Sequence, residues 1–217
     1  MQKIVSGRKA MVIEPHYLPS LEFFCAIRKY DQVNLEVHAH FVKQTYRNRT
    51  LINTAAGPHL LTIPISGREN HMAEREARID YRSPWINNHL RTIMAAYRNS
   101  PFYEHYYPEL EYVLIKRHQF LLDLNQELLT LCLRWLGWQK EIKQTENYNP
   151  NPEEYDLRDL LKAKQSFEQR RIYRPAPYQQ VFGQAFAGNM SVIDLVCCCG
   201  PQASFILQQS DISEADN

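Results

Sequence analysis

AMVIEPHYLPSLEFFCAIRKY, residues 10–30, is the stretch whose reading decides the fold. Residues 10–14 are apolar enough for a short buried strand, and Pro15 ends it because proline has no N–H to give a ladder. From Ser20 the period changes. Leu21, Phe24, Cys25 and Ile27 recur at helical spacing over 20–30, with Ser20 placed as an N-cap. VNLEVHAHF, 33–41, then alternates apolar and polar, the period of a half-buried strand. HLLTIPI, 59–65, is a further strand candidate behind the turn-forming Ala56–Gly57–Pro58. Strand, helix, strand predicts an α/β fold with a small, mainly parallel sheet near the N-terminus.

A large helical region follows a charged, loop-like stretch at 66–80. Ser83 is placed to cap and Pro84 to open a helix carrying Ile86, Leu90, Ile93, Met94 and Tyr97 on one face. Ser100–Pro101 repeats the start signal ahead of FYEHYY. A long helix is predicted over about 110–137, with Gly137 to end it. Residues 143–156, rich in Pro and Asn, read as a polar linker inside one domain spanning 1–217. Ser191 and Asp194 stand in capping-box spacing before SVIDLVCCC, and a short closing helix is expected over about 202–209.

Composition narrows the classes. The chain has 217 residues, 44% hydrophobic and 23% charged, which is ordinary for a globular domain and argues against disorder. A net charge of +1 argues against a broad nucleic-acid footprint. No apolar run is long enough for a signal peptide or for membrane insertion, so a cytoplasmic location is expected. The five cysteines include the consecutive Cys197, Cys198 and Cys199, a poor disulfide framework without zinc-site spacing. Reduced, inert thiols are the plainer reading, since apolar surroundings raise a thiol's pKa.

Candidate chemistry lies in three places. EPHYLP, 14–19, sits between a strand and a helix, where α/β sheets bind ligands, and would present His16 and Tyr17. His16 is a candidate acid/base group; the plain alternative is a rigid turn with an aromatic plug. On a strand, Glu36, His38 and His40 would share one face as a possible metal edge, against the simpler alternative of a hydrogen-bonded pocket wall. Lys43, Arg47 and Arg49 form a basic cluster interleaved with Tyr46 and Asn48, suited to phosphates and a stacked ring, or else a solvated loop. His89 borders the apolar face of its helix, and Tyr97 is equally suited to core packing.

These residues fall in blocks. EPHYLPSLEFF, HFVKQTYRNRTLI, GPHLLTIPI, SPWINNHLRTIMAAYRNSPFYEHY and AGNMSVIDLV occur in an order that resembles the WbqC-like family of bacterial proteins over nearly the whole chain. Glu14 stands where that family has glutamine, and Cys197 to Cys199 where it often has an aromatic–Asn pair. The resemblance implies a place in surface-polysaccharide (O-antigen) biosynthesis and the transfer of an acyl or aminoacyl group to an amino sugar. It implies no cofactor and no established catalytic set. The expected partner is therefore a small-molecule substrate, a nucleotide sugar. Lys43, Arg47 and Arg49 would hold its phosphates, with Asn48 beside them. Tyr17, Tyr46 and Tyr97 would stack its rings, and His16, His38 or His89 would take a proton from the acceptor amine. Two other functions stay open: a metal-dependent hydrolase or lyase on Glu36, His38 and His40, and a non-catalytic sugar-binding protein.

Overall fold

The computed structural model describes residues 9–67 and 72–211. Strand β1 (Ala10–Ile13), helix α1 (Leu21–Ile27) and strand β2 (Gln32–Leu35) form a parallel β-α-β unit with Ala10 opposite Gln32 and Ile13 opposite Leu35. Met11, Ile13, Val33 and Leu35 are buried in the core, whereas Gln32 and Asn34 alternate onto the other face. Helix α1 is buried on every side, which explains why Phe23 can be as apolar as Phe24.

The parallel sheet has four strands in the order β5-β2-β1-β6. The two outer strands, β5 (Glu141–Gln144) and β6 (Tyr155–Asp156), fall in and beside the stretch read as a linker. Both are short, polar and exposed or half-buried, so their side chains carry no strand period; backbone pairing to β2 and β1 defines them.

The expected strand 33–41 stops at Leu35. Glu36 turns back on the chain, its Oε1 accepting the backbone N–H groups of His38 (2.9 Å) and Ala39 (3.2 Å). Those donors are thereby lost to any ladder. The strand expected at 59–65 is β4 (Gly57–Thr62), paired antiparallel in a separate hairpin with β3 (Arg49–Thr54). Strand β3 begins at Arg49, the last residue of the basic cluster.

Helices α2 (Trp85–Tyr97), α3 (Tyr103–Ile115) and α4 (Leu121–Trp135) make up the helical region. Pro84 caps α2 from just outside it, and Ser83 supplies no side-chain cap. The helix predicted over 110–137 is in fact two, broken after Lys116 by Arg117 in the left-handed region at φ 57°. Pro108 lies inside α3. Gly137 closes α4 at φ 69°, as its glycine allows. None of these helices is long and apolar enough to cross a membrane, among the described residues.

The C-terminal α5 (Val192–Cys199) and α6 (Ala203–Gln209) return against α1, α2 and α3. Ser191 caps α5, its hydroxyl accepting from Ile193 N–H, but Asp194 does not complete a capping box. Its carboxylate instead accepts the Tyr178 hydroxyl at 2.5 Å and the Gln180 amide at 2.7 Å. All five cysteines are free thiols. Burial pushes Cys197 up to about 12 and Cys199 up to about 11. Neither is a thiolate nucleophile at neutral pH.

Candidate functional site

In the sheet order, β1 has β2 on one side and β6 on the other, so the chain winds away from β1 in both directions. Crevices beyond the C-terminal ends of strands at such a reversal bind ligands in open α/β sheets. A cavity of about 300 Å³ opens there. Glu14 and His16, just after β1, form one wall. Asp159, Lys162 and Lys164, just after β6, form another, and Lys43, Tyr46 and Arg47 close it from the segment that leads into β3.

The floor is an ion-pair network. Arg47 Nη2 donates to Glu14 Oε1 at 3.1 Å, and its Nε lies 3.1 Å from Glu74 Oε2. The second approach is close but lacks hydrogen-bond alignment, so it acts as charge proximity. Glu14 Oε1 also accepts the backbone N–H of Asp159 at 2.8 Å, which ties the β6 loop to the end of β1. Burial pushes the Glu74 carboxyl up to about 8 despite Arg47, helped by the nearby Glu14 and Glu36 charges. Burial raises Glu14 as well, with Arg47 and the Asp159 N–H opposing. Two carboxyl groups thus share one guanidinium, and the cluster holds a proton at neutral pH.

His16 is 4% exposed and packs between Phe23 and Tyr46, with ring centroids 4.9 and 5.4 Å away. Its Nδ1 is buried without a hydrogen-bond partner. Burial, then the Arg47 charge, lowers its pKa to about 3, so the imidazole is neutral at physiological pH. Such a ring offers a hydrogen bond to a ligand more readily than it takes up a proton. Two cavity residues, Gln44 (φ 64°) and Asp159 (φ 57°), sit in the left-handed region, as does the buried Leu18 (φ 41°) in the loop after β1. Leu18 is held there through its carbonyl, which accepts the Thr50 hydroxyl at 2.8 Å and the Ser191 hydroxyl at 3.0 Å. Strain of this kind persists only where the surroundings over-determine it.

Four residues singled out from the sequence therefore meet at the cavity: His16, Lys43, Tyr46 and Arg47. Lys43 is exposed and donates to the Gly67 carbonyl at 2.6 Å, whereas Arg47 is buried between two carboxylates and hydrogen-bonded to one of them. The others lie elsewhere. Asn48 is a structural brace, its amide donating to the Ile63 carbonyl at 2.9 Å, and Arg49 begins β3. The Tyr17 hydroxyl is 2.9 Å from His89 Nδ1, and Trp85 packs edge-on against the same imidazole. Burial lowers His89 to about 4, so this contact joins a neutral ring to a hydroxyl. Tyr97 is buried and its hydroxyl accepts the Asn53 N–H at 3.1 Å.

The metal edge does not form as expected, because His38 and His40 are not on a strand. Glu36 Oε2 accepts from Arg158 at 3.0 Å, and His38 Nε2 lies 3.0 Å from the Thr145 carbonyl. Among the described residues, no group of three or more His, Cys, Asp or Glu could hold a metal ion.

Sequence reasoning missed Glu74, Arg158, Lys162, Lys164 and the pair Glu22–Arg170. The last is a buried bidentate contact with both bonds at 2.7 Å, and Asn189 braces it by donating to Glu22 Oε2 at 3.1 Å. A signal was available: charged residues inside otherwise apolar helical periods, as Glu22 is, need a partner elsewhere in the chain. Which partner is a matter of topology.

The search of curated proteins and the search of solved structures returned no match. A family model does match, over residues 14–176, a span that starts at Glu14 and includes every wall of the cavity. The chain belongs to the WbqC-like protein family, which is associated with polysaccharide biosynthesis genes.

Proposed function

We propose that the chain is a transferase of bacterial surface-polysaccharide (O-antigen) biosynthesis that passes an acyl or aminoacyl group to the amine of a nucleotide-linked amino sugar. One observation carries the reading: a cavity at the sheet reversal combines three exposed lysines with the unpartnered Nδ1 of buried His16. Lys43, Lys162 and Lys164 are the uncommitted or weakly committed cations for the phosphates, in place of Arg47 and Arg49. Tyr46 supplies a face for a ring, and His16 a neutral hydrogen-bonding edge.

An ammonium cannot attack an acyl carbon, so the acceptor must first lose a proton. Glu14 is the better base: it lines the cavity, and its raised pKa moves it towards neutrality. The free amine then forms the C–N bond to an activated acyl ester or thioester. The carrier departs with the electron pair of the broken bond and takes up the proton that the new amide nitrogen gives up.

The test is isothermal titration of the full chain with uridine diphosphate and a uridine-diphosphate amino sugar. Lys162→Ala combined with Lys164→Ala should weaken both by about tenfold or more. Unchanged affinity in that variant, or no heat from either ligand with the parent chain, removes this reading.

A further inference from the structure

A second cavity, also about 300 Å³, lies over the ends of β2 and β5. Asn34, Glu36, Thr145, Asn149, Glu154 and Arg158 contribute to its wall. Glu14 belongs to the first cavity and Glu36 to the second, and each directly follows one of two paired strands.

The chemistry of the two differs. The cations here are already engaged: Arg158 donates to Glu36 and bidentately to Asp156, at 3.0, 2.9 and 2.7 Å, and Lys143 lies 3.0 Å from Glu141. Lys143, the exposed cation of the wall, already has Glu141 and the Gln32 side-chain carbonyl as partners. Planar amides dominate instead. Asn34, 7% exposed, donates one amide hydrogen to Glu154 (3.1 Å) and accepts from Gln32 (2.8 Å). That leaves its second hydrogen and second lone pair for a ligand. Asn147 and Asn149 add two more amides at the wall. Tyr148 stands between them in the chain, outside the wall itself, 55% exposed, with its ring 5.0 Å from the guanidinium of the wall residue Arg158.

Paired donors and acceptors suit vicinal hydroxyl groups, and an aromatic ring beside them suits the C–H face of a pyranose. We infer that this second cavity is a binding site for a neutral, hydroxyl-rich sugar, with Tyr148 as its stacking platform. It does not rest on the transferase reading, since a nucleotide in the first cavity is neither needed nor excluded.

Saturation-transfer NMR on the full chain with methyl glucoside and methyl N-acetylglucosaminide, at millimolar concentration, tests it. At least one glycoside should show transfer, weakened about tenfold in Tyr148→Ala and in Asn149→Ala. Both residues are at the surface, and unchanged thermal unfolding of each variant separates lost binding from lost fold. The Lys162→Ala, Lys164→Ala variant should bind the glycoside normally. Absence of transfer from both glycosides overturns the inference. So does transfer that survives both Tyr148→Ala and Asn149→Ala, or that disappears with the two lysines and places the sugar in the other cavity.

Discussion

His16 and Tyr17 are consecutive, yet they serve opposite regions. His16 faces the cavity at the ends of β1 and β6, among Tyr46, Arg47 and lysines, and keeps a buried nitrogen without a partner. Tyr17 faces inward to His89 and Trp85, where its hydroxyl and the His89 Nδ1 satisfy each other. Both histidines are neutral because burial disfavours the imidazolium. What separates them is what remains uncommitted. In the inner region the Tyr17 hydroxyl and the His89 Nδ1 are consumed by the fold, although the buried Trp85 Nε1 has no hydrogen-bond partner, and in the outer one the open nitrogen borders a cavity. Hydrogen-bonding capacity left open in a buried place is costly unless a ligand uses it.

The contrast can be broken in several places. The largest effect is expected at Arg47. Arg47→Ala strips the counter-charge from Glu14 and Glu74, and urea unfolding should show a loss of about 3 kcal/mol or more. A loss below about 1 kcal/mol, the scale of an ordinary surface change, would mean that the floor of the cavity is solvated and not a buried network.

A smaller effect should follow pH. The folded pKa of Glu74, about 8, is above its ordinary 4.5, so the folded state holds the extra proton. This contribution is complete below pH 4.5 and is lost as pH rises towards 8. His16 runs the other way: its folded value, about 3, is below 6.5, so its contribution is complete above 6.5 and lost as pH falls. Between 4.5 and 6.5 the two slopes oppose each other. Above 6.5 the Glu74 share of the decline should be no more than about 1.4 kcal/mol per pH unit. Glu74→Gln, neutral at every pH, should flatten that decline; a slope unchanged in the variant would place the titration elsewhere.

Tyr17→Phe is the mildest probe. It deletes one hydroxyl from the inner region and should cost about 1 kcal/mol in chemical unfolding. Nucleotide affinity should stay at the parent value, because the lost group does not face the cavity. Weakened nucleotide binding in this variant would show that the two regions are coupled through the loop they share.

The strand–helix–strand opening was legible from residues 10–35 because the buried face writes its period into the side chains. The edge strands β5 and β6 were not, since they are polar and are defined by backbone pairing to distant neighbours. Glu36 shows a second limit. As a letter it continued an alternating pattern, but its carboxylate captures the next two amides and ends the strand. In the site, His16, Lys43, Tyr46 and Arg47 were found from local clustering. Lys162 and Lys164 were missed because only the pairing of β6 to β1 brings their loop to the cavity. Arg47 was read as a phosphate ligand without its carboxylate neighbours, which come from residues 33 and 27 positions away in the chain.

The loop after β1 has one more consequence, which concerns time. Its left-handed Leu18 is fastened by Ser191, 173 residues later, and α1 begins against Asn189, 167 residues from Glu22. Contacts of such separation form late in folding because the loop they close is long. During synthesis, the wall that carries His16 therefore lacks these two fastenings until residues 189–191 have left the ribosome. A chain cut short of them would have all of its cavity residues but would lack the Ser191 half of the fastening on Leu18.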